Sequence, residues 1–238
     1  PSPGGEKLAF GISQDGDERS TLHVLDVNAK LEDAEGALLP LRITRTKWTS
    51  VTWLPDASAF YYTRYPKPGE ENFDPENEDS YFPRIFFHQL GRDPADDPLV
   101  FGAREGTDFP STSVSADGRT LAINVFRSWS ASDLYLFDRS EVSAPDDAHP
   151  VREVFVGEDA VLYATPHEGT LYALTDLDAP RRRVLAIPAA TAEARETWRE
   201  LIPESEATLE HMTLSGEAIA THYVDNVASK LVLFDRAG

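Results

Sequence analysis

Short apolar runs closed by polar turns recur along the whole chain. The clearest copy is Val114-Ser115-Ala116-Asp117-Gly118-Arg119-Thr120-Leu121-Ala122-Ile123-Asn124-Val125, followed by Asp133-Leu134-Tyr135-Leu136-Phe137-Asp138. Asp-Gly between strand-forming runs predicts a tight hairpin, because glycine accepts the positive φ such a turn needs. The unit is therefore strand, turn, strand, with a third strand after it.

Weaker copies precede it. Lys7 to Ser13 and Thr21 to Val27 read as strands behind Gly4-Gly5, and Trp48 to Leu54 and Phe60 to Arg64 flank a turn at Asp56-Ala57. Between Pro66 and Pro83 the chain is acidic, proline-rich and aperiodic, which predicts a long surface loop that includes Glu78-Asp79. Arg84 to Leu90 and Pro98 to Phe101 complete that second sheet. A Pro- and Asp-rich linker after Asp138 leads to an outer strand at Val151 to Phe155. A fourth sheet follows in Ala160–Ala164, Thr170–Leu174, Arg183–Ile187 and Trp198–Ile202, and a fifth in Leu209–Leu214, Ala218–Val224 and Lys230–Asp235. Ala189 to Glu196 carries no apolar stripe and reads as a loop or single turn.

The turns at Gly5, Ala57, Gly118, Gly169 and Gly216 recur at roughly 50 residues, the length of a four-stranded blade. Runs apolar on both faces, such as Leu134-Tyr135-Leu136-Phe137, suit sheets sandwiched between neighbours. The fold expected over residues 1–238 is all-β, a β-propeller of four-stranded antiparallel blades with about five blades present. A β-sandwich would alternate more cleanly.

Composition narrows the partners. A net charge of −19 opposes nucleic acid and anionic lipid, and no apolar run approaches a membrane span. The absence of cysteine removes disulfides and thiolate chemistry and suits a cytoplasmic protein. The opening Pro1-Ser2-Pro3-Gly4-Gly5 reads as a cut from a longer polypeptide.

Candidate chemistry is sparse. Gly11-Ile12-Ser13-Gln14-Asp15 lacks the second glycine of a nucleophile elbow and reads as entry to a polar turn. The histidines His23, His88, His149, His167, His211 and His222 show no metal-ligand spacing, and Glu70-Glu71 and Glu76 to Asp79 lack a calcium-loop frame. No metal and no cofactor is expected. Trp48, Trp53, Trp129 and Trp198 are expected to pack between sheets.

Four stretches carry a family likeness: Phe60-Tyr61-Tyr62-Thr63-Arg64-Tyr65-Pro66, Arg84 to Gly91, the Val114 to Arg119 hairpin, and His167-Glu168-Gly169-Thr170 leading to Thr175-Asp176-Leu177-Asp178-Ala179-Pro180-Arg181-Arg182-Arg183-Val184. With them the chain resembles the propeller of the prolyl oligopeptidase (prolyl endopeptidase) family of serine peptidases. The resemblance implies a seven-bladed ring covering an α/β-hydrolase peptidase domain that cuts short peptides after proline. The triad of that domain lies C-terminal to the propeller, so no catalytic residue is carried onto this chain, which should be inactive alone. Its role would be gating, with the peptidase domain of the same parent chain and short proline-containing peptides as partners. By alignment Phe101 falls near the position where relatives place a propeller phenylalanine against substrate, the alternative being an ordinary strand residue, since a one-residue slip reverses its face. With two blades fewer than the family ring, an open arc is expected to self-associate through its terminal blades. The alternative is a stand-alone propeller serving as a protein or ligand binding module.

Overall fold

The computed structural model describes residues 1–29, 34–77, 80–141 and 150–237; His149, Glu78, Asp79 and the linker at 142–149 lie outside them. Five antiparallel sheets follow one another in chain order. The first contains β1 (Lys7–Ile12), β2 (Thr21–Asp26) and β3 (Ile43–Thr44), and the second β4 (Val51–Trp53), β5 (Ala59–Arg64), β6 (Arg84–Gln89) and β7 (Leu99–Gly102). The third has β8 (Phe109–Val114), β9 (Thr120–Ser128), β10 (Ala131–Asp138) and β11 (Arg152–Phe155). The fourth has β12 (Leu162–His167), β13 (Thr170–Thr175), β14 (Arg183–Pro188) and β15 (Arg199–Ile202), and the fifth β16 (Thr208–Ser215), β17 (Ala218–Asp225) and β18 (Ala228–Asp235). Within each sheet, strands neighbour one another in sequence order. No helix is long and apolar enough to cross a membrane among the described residues.

The turns that set the repeat are where the sequence places them. Gly5, Gly118, Gly169 and Gly216 have φ of 79°, 73°, 74° and 56°, and Ala57 takes the same left-handed conformation at 54°. At two of these turns an aspartate shapes the loop. Asp56 Oδ1 accepts from the Ser58 N–H (3.1 Å) and Asp117 Oδ1 from the Arg119 N–H (3.0 Å). With the neighbouring serine hydroxyls, these bonds hold both carboxyls below their ordinary range.

Two differences from the sequence reading have local causes. The first sheet has a third strand, β3, only two residues long, whose Ile43 and Thr44 pair with Leu22 and Thr21. So short a strand has no alternation to read and is fixed by its cross-strand partners. A one-turn helix, α1 (Ala34–Ala37), also precedes it. The Ala189 to Glu196 stretch forms single 3-10 turns at Ala189–Thr191 and Arg195–Thr197, as expected.

The chain divides into two compact units, Pro1–Val114 with Asp138–Pro150, and Ser115–Phe137 with Val151–Gly238. In the first, Leu22, Val24 and Ile43 pack on Phe60, Tyr62 and Phe86. In the second, Leu134, Leu136 and Phe155 pack with Leu162, Leu171 and Ile187, and Leu174, Val184 and Ile202 pack with Leu209, Ile219 and Tyr223. Each such side chain, fully buried, contributes about 1.5–3 kcal/mol. Every residue of β5 is buried, as a strand sandwiched on both faces requires. The outermost strand of the fifth sheet, β18, instead exposes Leu231 (79%) and Leu233 (72%).

Candidate functional site

Phe101 lies in β7 opposite Ile85, beside a break in the β6–β7 register, and only 8% of it is exposed. Ser13 follows the end of β1 and opens a loop in which the Asp17 N–H donates to the Gln14 carbonyl. The tryptophans divide. Trp53 is buried in the first unit's core and Trp198 packs partly against the second unit's, donating from Nε1 to the Ala192 carbonyl (2.8 Å). Trp48 (62% exposed) and Trp129 (93%) do not pack as the sequence reading expects. Trp48 sits at a positive φ of 50° under the Lys47 ammonium (4.3 Å), and Trp129 stands at the tip of the β9–β10 hairpin against the edge of Phe126. Turn geometry turns both rings outward, which residue type alone does not reveal.

The structure also pairs histidines that are distant in sequence. His211 and His222 are cross-strand partners with stacked rings 5.9 Å apart. No group of three or more His, Asp or Glu positioned to hold a metal ion occurs among the described residues.

The densest polar arrangement lies in the second sheet. β5 and β6 place Phe60, Tyr62, Phe86 and His88 on one face, because Phe60 pairs with His88 and Tyr62 with Phe86. His88 is fully buried among these rings, with Phe60 5.2 Å away. Its Nδ1 lies 2.9 Å from Asp97 Oδ1, and the Tyr62 hydroxyl donates to Asp97 Oδ2 (2.9 Å). Burial, reinforced by the Asp97 charge, raises the Tyr62 hydroxyl well above its ordinary value. Tyr62, Asp97 and His88 thus form a chain that ends at His88 Nε2, a buried atom with no hydrogen-bond partner among the described residues. The sequence signal was a histidine on the apolar face of a strand, which must find a polar partner when buried.

His88 lines a cavity of about 360 Å³, with Lys7, Leu39, Leu41, Leu90 and Arg92 among the other lining residues. No lining residue is acidic. Volume and a mostly apolar wall with a few polar groups place it in the range of small-molecule sites.

At the other end of the same face, Arg64 anchors the acidic loop. Its guanidinium, 3.8 Å over the Phe86 ring, donates from Nη1 and Nη2 to the two Glu70 oxygens (2.8 and 2.7 Å), and the Lys67 N–H adds a third bond (2.9 Å). These bonds, Arg64's foremost, outweigh burial and hold the Glu70 carboxyl at about 2. On the opposite face the Tyr61 hydroxyl accepts from Arg139 Nε (2.9 Å), and burial raises that phenol despite the cation.

The family model for the prolyl oligopeptidase N-terminal β-propeller domain matches residues 1–238. The chain is 28% identical over 239 residues to the prolyl endopeptidase of Elizabethkingia meningoseptica, covering 98% of this chain and 31% of that protein. It is 27% identical over 217 residues to the prolyl endopeptidase of Dictyostelium discoideum, covering 84% and 29%. A solved prolyl endopeptidase, studied for inter-domain dynamics in catalysis and specificity, matches with a TM-score of 0.82 at 27% identity over 100% of this chain and 33% of that one. Oligopeptidase B from Leishmania major matches in fold, with a TM-score of 0.74 at 15% identity over 97% of this chain and 29% of that one. The chain spans about a third of the length of the curated relatives it matches.

Proposed function

We propose, since the chain belongs to the prolyl oligopeptidase N-terminal β-propeller domain family, that it serves as the selecting portion of a prolyl oligopeptidase-type serine peptidase. In this reading it admits short proline-containing peptides to a peptidase domain in the same polypeptide and keeps folded proteins out. The observation that carries it is the match of the propeller family over all 238 residues. Selection of this kind is steric: it needs stiff walls and no reacting group, and the sheets are stiffened by buried polar ties between neighbours within each unit. The exposed Leu231 and Leu233 of β18 would meet further blades of that polypeptide; left uncovered, the same face would drive self-association. Phe101, only 8% exposed here, is the residue we propose for the substrate side.

The test uses the full-length protein. A chromogenic glycyl-prolyl substrate and a short proline-containing peptide should be hydrolysed after proline, a folded protein of the same motif content should be refused, and Phe101→Ala should lower kcat/KM for the short peptide. Equal cleavage of the folded protein would overturn the selecting role. No hydrolysis at all would favour a binding module.

A further inference from the structure

We propose that the outer edge of β18 is a docking site for a bulged strand of the same polypeptide, one that reads polar, polar, aliphatic, large apolar. Three other sheets show what such an edge takes. In each, the outer strand pairs with the third strand through a register break at one fixed place: between Ile85 and Phe86 in β6, between Leu134 and Tyr135 in β10, and between Val184 and Leu185 in β14. Each break leaves one residue of the outer strand without a register partner, Val100, Val154 or Leu201. A bulge suspends the alternation of a strand, so that residue and the apolar one after it can enter the same core. Val154 and Phe155 of β11 both join Leu134 and Leu136, and Leu201 and Ile202 of β15 both join Val184 and Ala186. Arg-Glu precedes the pair in both strands, and β7 carries the equivalent pair as Val100-Phe101.

The third-strand sequence recurs in β18. Lys230-Leu231-Val232-Leu233-Phe234-Asp235 repeats Asp133-Leu134-Tyr135-Leu136-Phe137-Asp138, so Leu231 and Leu233 hold the places of Leu134 and Leu136. Those two are buried, whereas Leu231 and Leu233 are exposed, and among the described residues no strand pairs with β18 on its outer side. The missing element is the pair that Val154 and Phe155 supply in the third sheet. The β18 of a second copy does not supply it as a strand partner. Its Val232 and Phe234 pack toward its own core and alternate with the leucines, so it offers no two successive apolar side chains to one face. The proposal rests on the reading that this chain is a portion of a longer polypeptide. Its test involves no peptidase activity, so its failure and failure of the selecting role are told apart.

The probe is the peptide Val-Arg-Glu-Val-Phe-Val-Gly, the sequence of residues 151–157, titrated into the 238-residue chain and followed by NMR at the backbone amides. Its control has the glutamate and the following valine exchanged, which keeps the composition and separates the apolar pair. Expected are saturable shifts along β18, with the control at least about tenfold weaker, as pairing by edge addition with a fixed register requires. Leu231→Asn together with Leu233→Asn should weaken the peptide about tenfold; both side chains are exposed, so the fold tolerates the change. In the full-length protein the edge is already filled: the β18 amides should resist hydrogen exchange and the peptide should not bind. No saturable shift at β18, equal binding of the two peptides, or peptide uptake by the full-length protein would overturn the proposal. Protection of β18 in the 238-residue chain alone that grows with its concentration would assign the edge to a second copy and overturn it as well.

Discussion

Asn124 of β9 and Ala164 of β12 exchange two hydrogen bonds: the Asn124 amide donates to the Ala164 carbonyl (3.0 Å) and its Oδ1 accepts from the Ala164 N–H (2.8 Å). The side chain completes the backbone pairing of a strand in the next sheet. Ser132 does the same for Leu162, donating to its carbonyl (3.0 Å) and accepting from its N–H (2.7 Å). Replacing Asn124 by leucine leaves two buried backbone groups unpaired, and should lower stability by about 2–4 kcal/mol. Urea unfolding measures it; a loss under about 0.5 kcal/mol would mean that solvent reaches the joint.

The β17–β18 turn is built from Asn226 and Val227 at φ of 47° and 67°. Two successive positive φ values suit Asn-Gly, and a β-branched residue is strained there. Val227 is 98% exposed, so no burial is lost by removing its side chain. Val227→Gly should raise stability by about 1–2 kcal/mol. The reverse change at the β12–β13 turn, Gly169→Ala, should lower it by a similar amount, because φ is 74° and no atom lies within 4 Å of the added methyl to repay the strain. Paired denaturation curves for the two variants test the argument as a sign reversal.

Glu70 makes loop anchoring pH-dependent. Its folded value of about 2 lies below the ordinary 4.5, so its stabilising effect is complete above about pH 4.5 and is lost as pH falls through about 2. Digestion by an acid-active protease should spare the 66–83 loop at the upper end of that window and cut it at the lower end. Glu70→Gln should be cut throughout. Early cleavage of the wild-type loop at pH 4.5 would show that the Arg64 contact does not restrain it.

Much of this architecture is legible in the chain because it rests on local chemistry. Asp117-Gly118 and Ser215-Gly216 announce their turns, and apolar runs such as Leu134 to Phe137 announce strands covered on both faces. What escaped reading depends on partners far away in sequence. β3 exists because Thr21 and Leu22 offer an edge, and Asn124 looks like an interruption until Ala164 is beside it. His88 is the same case: its place in an apolar strand says only that a buried ring needs a polar partner, and β6 and the Asp97 segment together show a buried ring with one nitrogen held and the other unpartnered.

The position held by Asn124 recurs at the matching place in two other sheets, where a threonine replaces it. Thr63 in β5 reaches the Pro110 carbonyl (3.4 Å) through a hydroxyl, and Thr175 in β13 turns inward to the Val161 carbonyl (2.7 Å). Each threonine donates to one carbonyl, and neither clasps both backbone groups of a single residue as Asn124 does, so these positions are not equivalent. The repeat is periodic in backbone and aperiodic in its fastenings. A gene that shuffled or duplicated these sheets would encode well-formed modules whose joints do not match, so order along the chain is written into the fasteners as well as the linkers.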